Sequence, residues 1–494
     1  MELLRRPPRY ADLLLEWLCR EELHEEIQGD LHQYYARLLR EQDRWSGIKY
    51  WYHTFQFLRP YALKPIVKNS NFTSMMRLNF LVAYRNIMNH KFYAFINILG
   101  LALGLAVCML IGTYIKHELS YDRHWENSDR LFRAVGELKF EDNYLELSAT
   151  PAPMAASFEK DFPRILKAAR FRDIGSRLVQ VGDRFYQEPQ MSYADPEVLE
   201  LFNLELLDGS FDDALSDPAG AIIAASSAKR LFGSADPIGQ RFEHAGTPYS
   251  VKAVYADLPD ATHFHYTMML SMESFNDPGR TVWLSNNYRT YFLLDTPEDY
   301  EAVSASFKDV YQRYFGPQIE AIAGASWDQF MASGSFVNYY LQPVEDIHLH
   351  SDLQYEIEAN GNFQYILIFG AAGLFVLIIA AINFMNISTA RSSTRAKEVG
   401  IKKVVGSPKS QLVYQFISES LLNSLLALVI AIGLFYLGLP TLNDLTNKTI
   451  VDPLFGELNL FPTVLIATVV VGLLAGVYPA FFLAGFAPLK VLKG

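Results

Sequence analysis

Cysteine is almost missing from this chain: its 494 residues include two, Cys19 and Cys108. One falls in a charged N-terminal stretch and the other inside an apolar run, which argues against an intrachain disulfide. Any large domain must therefore hold together by packing. Enzyme signatures are also absent, with no GxxxxGK[ST] phosphate loop, no HExxH helix and no GxSxG elbow. Those gaps remove a P-loop hydrolase, a zincin and an α/β-hydrolase from consideration. Residues 1 to 30 lack an uninterrupted apolar core, so no cleavable signal peptide is expected. Charge is missing too where it would matter most. Phe92 to Ile115, Tyr365 to Ile387 and Phe461 to Phe482 contain no Asp, Glu, Lys or Arg.

What is present is apolar mass, 50% of the residues. The three uncharged runs, with Phe416 to Leu439 as a fourth, reach the roughly 20 residues that cross a hydrocarbon core of about 30 Å. A central Lys, Arg or Asp would cost about 2.5 to 3.5 kcal/mol on insertion scales. The sequence therefore predicts four transmembrane helices, at 92–115, 365–387, 416–439 and 461–482. In the third, Ser420, Asn423 and Ser424 are polar groups that neighbouring helices can satisfy. The first span can serve as its own signal anchor.

The net charge of −11 is unevenly spread. Arg77, Arg85, His90 and Lys91 precede the first span, and Lys490 and Lys493 follow the fourth. Between the second and third spans lie Arg391, Arg395, Lys397, Lys402, Lys403 and Lys409 against Glu398, whereas 440–460 carries Lys448 against Asp444, Asp452 and Glu457. The positive-inside rule puts both termini and the 388–411 segment in the cytoplasm and leaves 116–364 and 440–460 outside. This predicts a multi-pass protein of the cell inner (plasma) membrane.

The 116–364 region mixes strand-like runs (Arg177 to Val181, Gly220 to Ala224, Tyr249 to Tyr255) with helical ones (Met154 to Phe162, Ser226 to Phe232), so an α+β domain is expected. Residues 1 to 70 read as a small helical unit, in which Leu23, Ile27, Leu31, Tyr34 and Leu38 line one face. Residues 71–91 mix basic and apolar side chains as an interfacial amphipathic helix does. The glycines of GLALGLAV (Gly100 to Val107) invite close helix packing. His263 with His265 and His348 with His350 could each present two imidazoles on one strand face. Neither pair has a ligand set to complete it, so the packing reading is preferred and no metal is expected.

In the 388–411 segment, Arg391, Arg395, Glu398 and Lys402 recur at helical spacing. Val399, Val404 and Val405 stay apolar, and Gly406, Ser407 and Pro408 supply a helix stop. A short amphipathic helix docking on a cytoplasmic partner accounts for these features better than an idle loop. Further on, Pro479 suggests that the fourth helix ends or kinks near its cytoplasmic exit.

RSSTRAKEVGIKKVVGS followed by QLVYQFISESLL resembles the cytoplasmic loop and third span of the FtsX/MacB-type permeases of ABC transporters. LQPVEDIHLHS (Leu341 to Ser351), INFMNISTA (Ile382 to Ala390) and GVYPAFFLAGFAPLKVLKG (Gly476 to Gly494) match the family in the same order. HELSYDRHWENSDRLFRA (His117 to Ala134) resembles the start of its MacB-like periplasmic core domain, and EWLCREELHEEIQGDLHQYYARLL resembles an N-terminal permease prefix domain. The resemblance implies two subdomains outside, one inserted near 175–280. It implies a non-catalytic permease subunit that transmits ATP-driven motion of a separate cytoplasmic ABC ATPase to the periplasmic domain, for handling a peptide, lipoprotein or drug. The chain then holds no cofactor of its own, ATP being bound by the partner. The implied coupling residues are Arg391, Arg395, Lys397, Glu398, Val399, Gly400, Lys402, Lys403 and Gly406. Implied partners are the ATPase, a homodimer mate or second permease module, membrane lipids and a periplasmic adaptor, with no nucleic acid. Relatives with this prefix often continue past VLKG into a second four-span half, so either a half-length dimerising member or a truncated two-module one is expected. An FtsX-like signalling scaffold that controls an extracytoplasmic enzyme is the alternative; a membrane enzyme is disfavoured because no nucleophile and base pair can be picked.

Overall fold

The computed structural model describes residues 21–40, 49–50, 52–54, 85, 88–89, 91–140, 142–390, 399–456 and 458–485. Most of the 71–91 stretch therefore lies outside the described residues, as does most of the N-terminal unit. Of that unit, helix α1 (Glu21–Arg40) buries Ile27, Leu31, Tyr35 and Leu38. The buried tyrosine is Tyr35, not the predicted Tyr34. Tyr50 packs edge-on against its ring at 5.3 Å, so the apolar face includes the position one residue further along the same turn.

Among the described residues, four helices are long and apolar enough to cross a membrane. They are α2 (Lys91–Glu118), followed after the domain by α6 (Phe363–Ala390), α7 (Lys409–Thr446) and α8 (Phe461–Gly485). Helix α2 packs against both α6 and α7, and α8 closes the bundle against α7 and α6. Ala102, Leu105 and Met109 meet Ala380, Phe384, Ala427 and Phe435 in its core. Away from that core Phe375, Ile379, Val429, Leu437 and Leu474 remain exposed. A bundle that keeps apolar side chains outward is suited to lipid.

Small residues bring the helix axes together, as predicted for the GLALG run. A Cβ on Gly104 would stand 2.5 Å from that of Ala380 in α6, and one on Gly472 would stand 2.3 Å from the Ser424 hydroxyl in α7. Two span boundaries differ from the sequence reading. Helix α7 begins at Lys409 and continues through Pro440 to Thr446, where Asn447 adopts φ +53°. The predicted external loop thus starts with helix, because a proline removes one amide bond while the turns around it retain theirs. Helix α8 likewise runs through Pro479 to Gly485 instead of ending there. Ala475 and Ala480, buried on either side of Pro479, hold it in place by packing.

Between α2 and α6 lies a mixed α+β domain. Its strands are β1 (Leu131–Phe140), β2 (Asn143–Leu147), β3 (Thr150–Pro151), β4 (Ile165–Val181), β5 (Arg184–Ala194) and β6 (Leu206–Gly209). They continue with β7 (Gly220–Ala224), β8 (Arg241–His244), β9 (Thr247–Tyr255), β10 (Met268–Ser271), β11 (Asn286–Leu294) and β12 (Phe336–Pro343). Helices α3 (Met154–Asp161), α4 (Ala225–Phe232) and α5 (Lys308–Ala323) pack on it. All twelve strands join one sheet, with the main order β12-β1-β11-β4-β5-β10-β7-β9-β6.

The region predicted as an insertion near 175–280 is a lobe of this same sheet. Strand β4 runs through both lobes, pairing with β11 over Ile165 to Phe171 and with β5 over Phe171 to Val181, and its register to β5 shifts around Gly175 at φ +65°. Such a bulge bends a strand without ending it. One lobe packs around Phe132, Phe158, Phe292, Phe307 and Tyr339. The other packs around Val179, Met191, Ile223, Val251 and Met268.

Residues 351–362, which lead into α6, contain no regular helix, yet they are pinned to the sheet. The fully buried Arg133 of β1 donates to Glu356 at 2.5 and 2.9 Å, to Gln342 at 2.7 Å and to Ser351 at 3.0 Å. Burial opposes the Glu356 charge, but the Arg133 hydrogen bonds and charge outweigh it and hold the carboxyl below its usual range. The Tyr355 carbonyl accepts from Ser148 and Arg289 at 2.6 and 2.5 Å.

Gly104→Val is expected to lower stability by about 1 to 3 kcal/mol, the usual cost of overpacking a close contact. The check is a thermal melt in detergent, and an unchanged melting temperature would refute the tight α2–α6 contact.

Candidate functional site

The sequence placed the functional residues on the cytoplasmic connector. Arg391, Arg395, Lys397 and Glu398 lie outside the described residues, and the structure divides the others. Residues 399–404 are helical. Val399 is buried with Leu412, Phe416 and Ala480, and Gly400 is buried beside it. The Lys402 ammonium donates to Gln415 at 3.0 Å, and Lys403 is half-buried. Gly406 takes φ +100°, and the Gly406 and Ser407 amides return to the carbonyls of Lys403 and Lys402. This is the expected helix stop, made by a residue without a Cβ to strain.

The predicted valines divide between two faces. Val399 points inward, whereas Val404 and Val405 are 65% and 81% exposed and are joined by Ile401 at 56%. Sequence reasoning missed Ile401, although its place three residues before Val404 on the same helical face was a readable signal.

A second site, at the other end of the bundle, was not anticipated. Glu118, the last residue of α2, is 2% exposed. An isolated carboxylate there would carry a desolvation penalty of several kcal/mol, and two partners come from far along the chain to meet it. His348 Nε2 lies 2.9 Å from one oxygen, and the Lys448 ammonium donates to the other. Lys448 also donates to the Tyr121 hydroxyl at 3.0 Å, and the Tyr121 ring stacks on His348 at 3.4 Å with 4° between planes. Gly361 closes the group, since a Cβ there would stand 2.8 Å from both Glu118 and His348.

Beside it, Asp260 accepts from the Thr449 amide at 2.5 Å and from the Thr449 hydroxyl. Burial would raise the Asp260 carboxyl, but the Thr449 bonds and the nearby His117 and His265 hold it below its usual range. This joint gathers the end of α2, the α+β domain, the lead-in to α6 and the α7–α8 connection. Lys448 was legible as a lone base in an acidic loop; its partner, 330 residues earlier, was not.

The histidine pairs resolve into separate structural tasks, and neither forms two ligands on one strand. His348 and His350 sit on a single helical turn, His348 on Glu118 and His350 against the Phe363 ring at 5.1 Å. His263 is enclosed, with Nδ1 2.7 Å from Asp122 and Nε2 2.7 Å from the Tyr291 hydroxyl. His265 Nδ1 lies 2.9 Å from Glu358, and its Nε2 lies 3.0 Å from the Pro259 carbonyl. Burial pushes the His265 imidazole down, yet Glu358 and the carbonyl push it further up, so it ends above its usual value. Among the described residues, no three His, Cys, Asp or Glu side chains cluster to hold a metal.

Two predictions arise from this joint. Lys448→Met should lower stability by about 3 kcal/mol, because a buried acid loses a charged partner, and adding Glu118→Gln should recover at least half of the loss. Chemical denaturation of the single and double variants measures both, and additive losses would argue against the pair. The raised His265 value contributes stability that is present below about pH 6.5 and is lost as pH rises through the folded value. Glu358→Gln should therefore lower the melting temperature more at about pH 5.5 than at about pH 9; a gap that widens at alkaline pH would refute the assignment.

Comparison with known proteins places these features. Residues 94–310 match the model of the MacB-like periplasmic core domain, and residues 370–488 match the model of the FtsX-like permease C-terminal region. Among solved structures, a domain assigned to a permease protein of Porphyromonas gingivalis is 20% identical, with a TM-score of 0.40 over 50% of this chain and 100% of its own. The periplasmic region of MacB from Actinobacillus actinomycetemcomitans is 11% identical, with a TM-score of 0.30 over 44% of this chain and 90% of its own. The extracellular domain of the noncanonic ABC-type transporter YknZ from Gram-positive bacteria is 12% identical, with a TM-score of 0.30 over 43% and 99%. Among curated proteins there is no match. With one family match running from the first membrane helix into the α+β domain and the other covering the remaining helices of the bundle, this chain is an ABC transporter permease of the FtsX/MacB type.

Proposed function

We propose that this permease works by mechanical transmission. A separate ATPase docks below the membrane on the 388–411 connector, and its closure moves the helices and, through the Glu118 joint, the extracytoplasmic domain. The domain then handles a peptide, lipoprotein or drug on the outer side. The observation that carries this reading is the joint itself. A buried carboxylate shared by His348 and Lys448 penalises independent movement of the parts it ties, because separation would leave a charge unpaired. The cytoplasmic end supports the same reading. Ile401, Val404 and Val405 offer an exposed apolar face, while Val399, Leu412, Phe416 and Ala480 anchor its opposite side to the bases of α7 and α8.

Two transmembrane modules are required around an ATPase dimer, supplied by a second copy or by another permease module. A periplasmic adaptor fits the same scheme. The termini and the connector then face the cytoplasm.

Reconstitution with the cognate ATPase tests the proposal. Arg395→Glu combined with Lys402→Glu should reduce ATPase association about tenfold or more while membrane insertion stays intact. Because Lys402 also bonds Gln415, Val404→Asp with Val405→Asp provides a second pair that alters exposed side chains alone. Normal association and hydrolysis in both pairs would sink the docking role.

A further inference from the structure

Next to the joint lies a cavity of about 880 Å³, inside the range of about 300–1,000 Å³ common for small-molecule sites. Its two halves differ in chemistry. Leu110 of α2, Phe369 of α6 and Leu445 of α7 supply apolar walls, and the α+β domain contributes Asp260 and Glu358 above them. Phe369 and Leu445 are 43% and 81% exposed, so the apolar half opens at the bundle surface, where the outer leaflet would lie. A ligand could pass from lipid into it without crossing water.

The polar half carries an excess of negative charge. Glu118 is already engaged by Lys448 and His348. Asp260 is bonded by the uncharged Thr449, with His117 and His265 nearby, and Glu358 by His265, whose side chain and that of Glu358 are each 34% exposed. Three carboxylates thus face Lys448 and His265, and next to an apolar wall the effective dielectric is low, so this surplus repels anions and attracts cations more strongly than in water. An anionic phospholipid headgroup is thus disfavoured, while an ammonium on an apolar chain satisfies both halves.

We propose that this cavity binds a cationic amphiphile taken from the outer leaflet, its ammonium held by Glu358 and Asp260 and its chain by Leu110, Phe369 and Leu445. This deepens the proposed function by naming a substrate class, and it rests on that reading for the role of the bound molecule.

The test uses full-length protein in phosphatidylcholine nanodiscs without any ATPase, so its failure is separable from failure of the docking proposal. Radiolabelled dodecylamine should bind saturably and resist competition by laurate. Glu358→Gln with Asp260→Asn, changes that keep shape and hydrogen-bonding capacity, should weaken binding about tenfold or more. If that pair does not fold, Leu445→Trp at the exposed mouth should reduce binding instead. Equal competition by laurate, or unchanged binding in a folded double variant, overturns the proposal. So does phosphatidylethanolamine retained against saturating dodecylamine, read by native mass spectrometry, since the cavity would then be a structural lipid site.

Discussion

A carboxylate at the end of a membrane helix, out of contact with water, cannot remain ionised without partners close at hand. Glu118 occupies that position, and much of the architecture around it reads as the answer to its charge. His348 arrives from the last turn after β12, and Lys448 arrives from the connection between α7 and α8. Tyr121, stacked on His348 and bonded to Lys448, keeps the two partners in place. Buried ion pairs often add little net stability relative to apolar packing, but breaking one is costly. That asymmetry suits a joint, which must resist separation more than it must deepen the folded minimum.

The membrane helices were legible in the sequence because their signal is local: length, hydropathy and absent charge within one window. Their ends were less so. Proline at 440 and at 479 looks like a terminator when taken alone, yet α7 and α8 pass through both positions because contacts elsewhere in the bundle hold the turns together. The glycine spacing of α2 was readable, and it matches the close approach to Ala380. The domain's strands and helices at 220–224, 249–255, 154–162 and 226–232 were visible from alternation and apolar period. Their union into one sheet was not, since it depends on β4 turning a bulge and continuing.

The outer joint was hidden for a different reason. His348 and Lys448 are separated by 230 and 330 residues from Glu118, the acid they share, and no spacing rule connects residues so far apart. Taken locally, His348 and His350 suggested two ligands on a strand, but a helical turn at that point sends them to different neighbours. The 388–411 connector presents the opposite case. Its helix stop at Gly406 and its apolar residues were readable from order alone, whereas which valine faces inward depends on Leu412, Phe416 and Ala480.

The way the parts are tied constrains what can move against what. Residues 351–362 are fastened to the sheet through Arg133, Arg289 and Ser148, so the start of α6 must travel with the domain or expose a buried guanidinium. Helix α2 enters the same domain through Asp122, whose amide bonds the Ala261 carbonyl and whose carboxylate holds His263 and Trp125. Helices α2 and α6 are thereby coupled to the domain through buried polar contacts. The α7–α8 hairpin joins the domain along the chain only by way of α6, and in space it meets the domain through Lys448 and Thr449, beyond its packing on α2 and α6. The connector, where α6 ends and α7 begins, therefore joins two bodies of different attachment. The tightest small-residue seams lie within each body, between α2 and α6 at Gly104 and between α7 and α8 at Gly472, so each pair holds together as a unit, and Lys448 and Thr449 tie the hairpin to the joint.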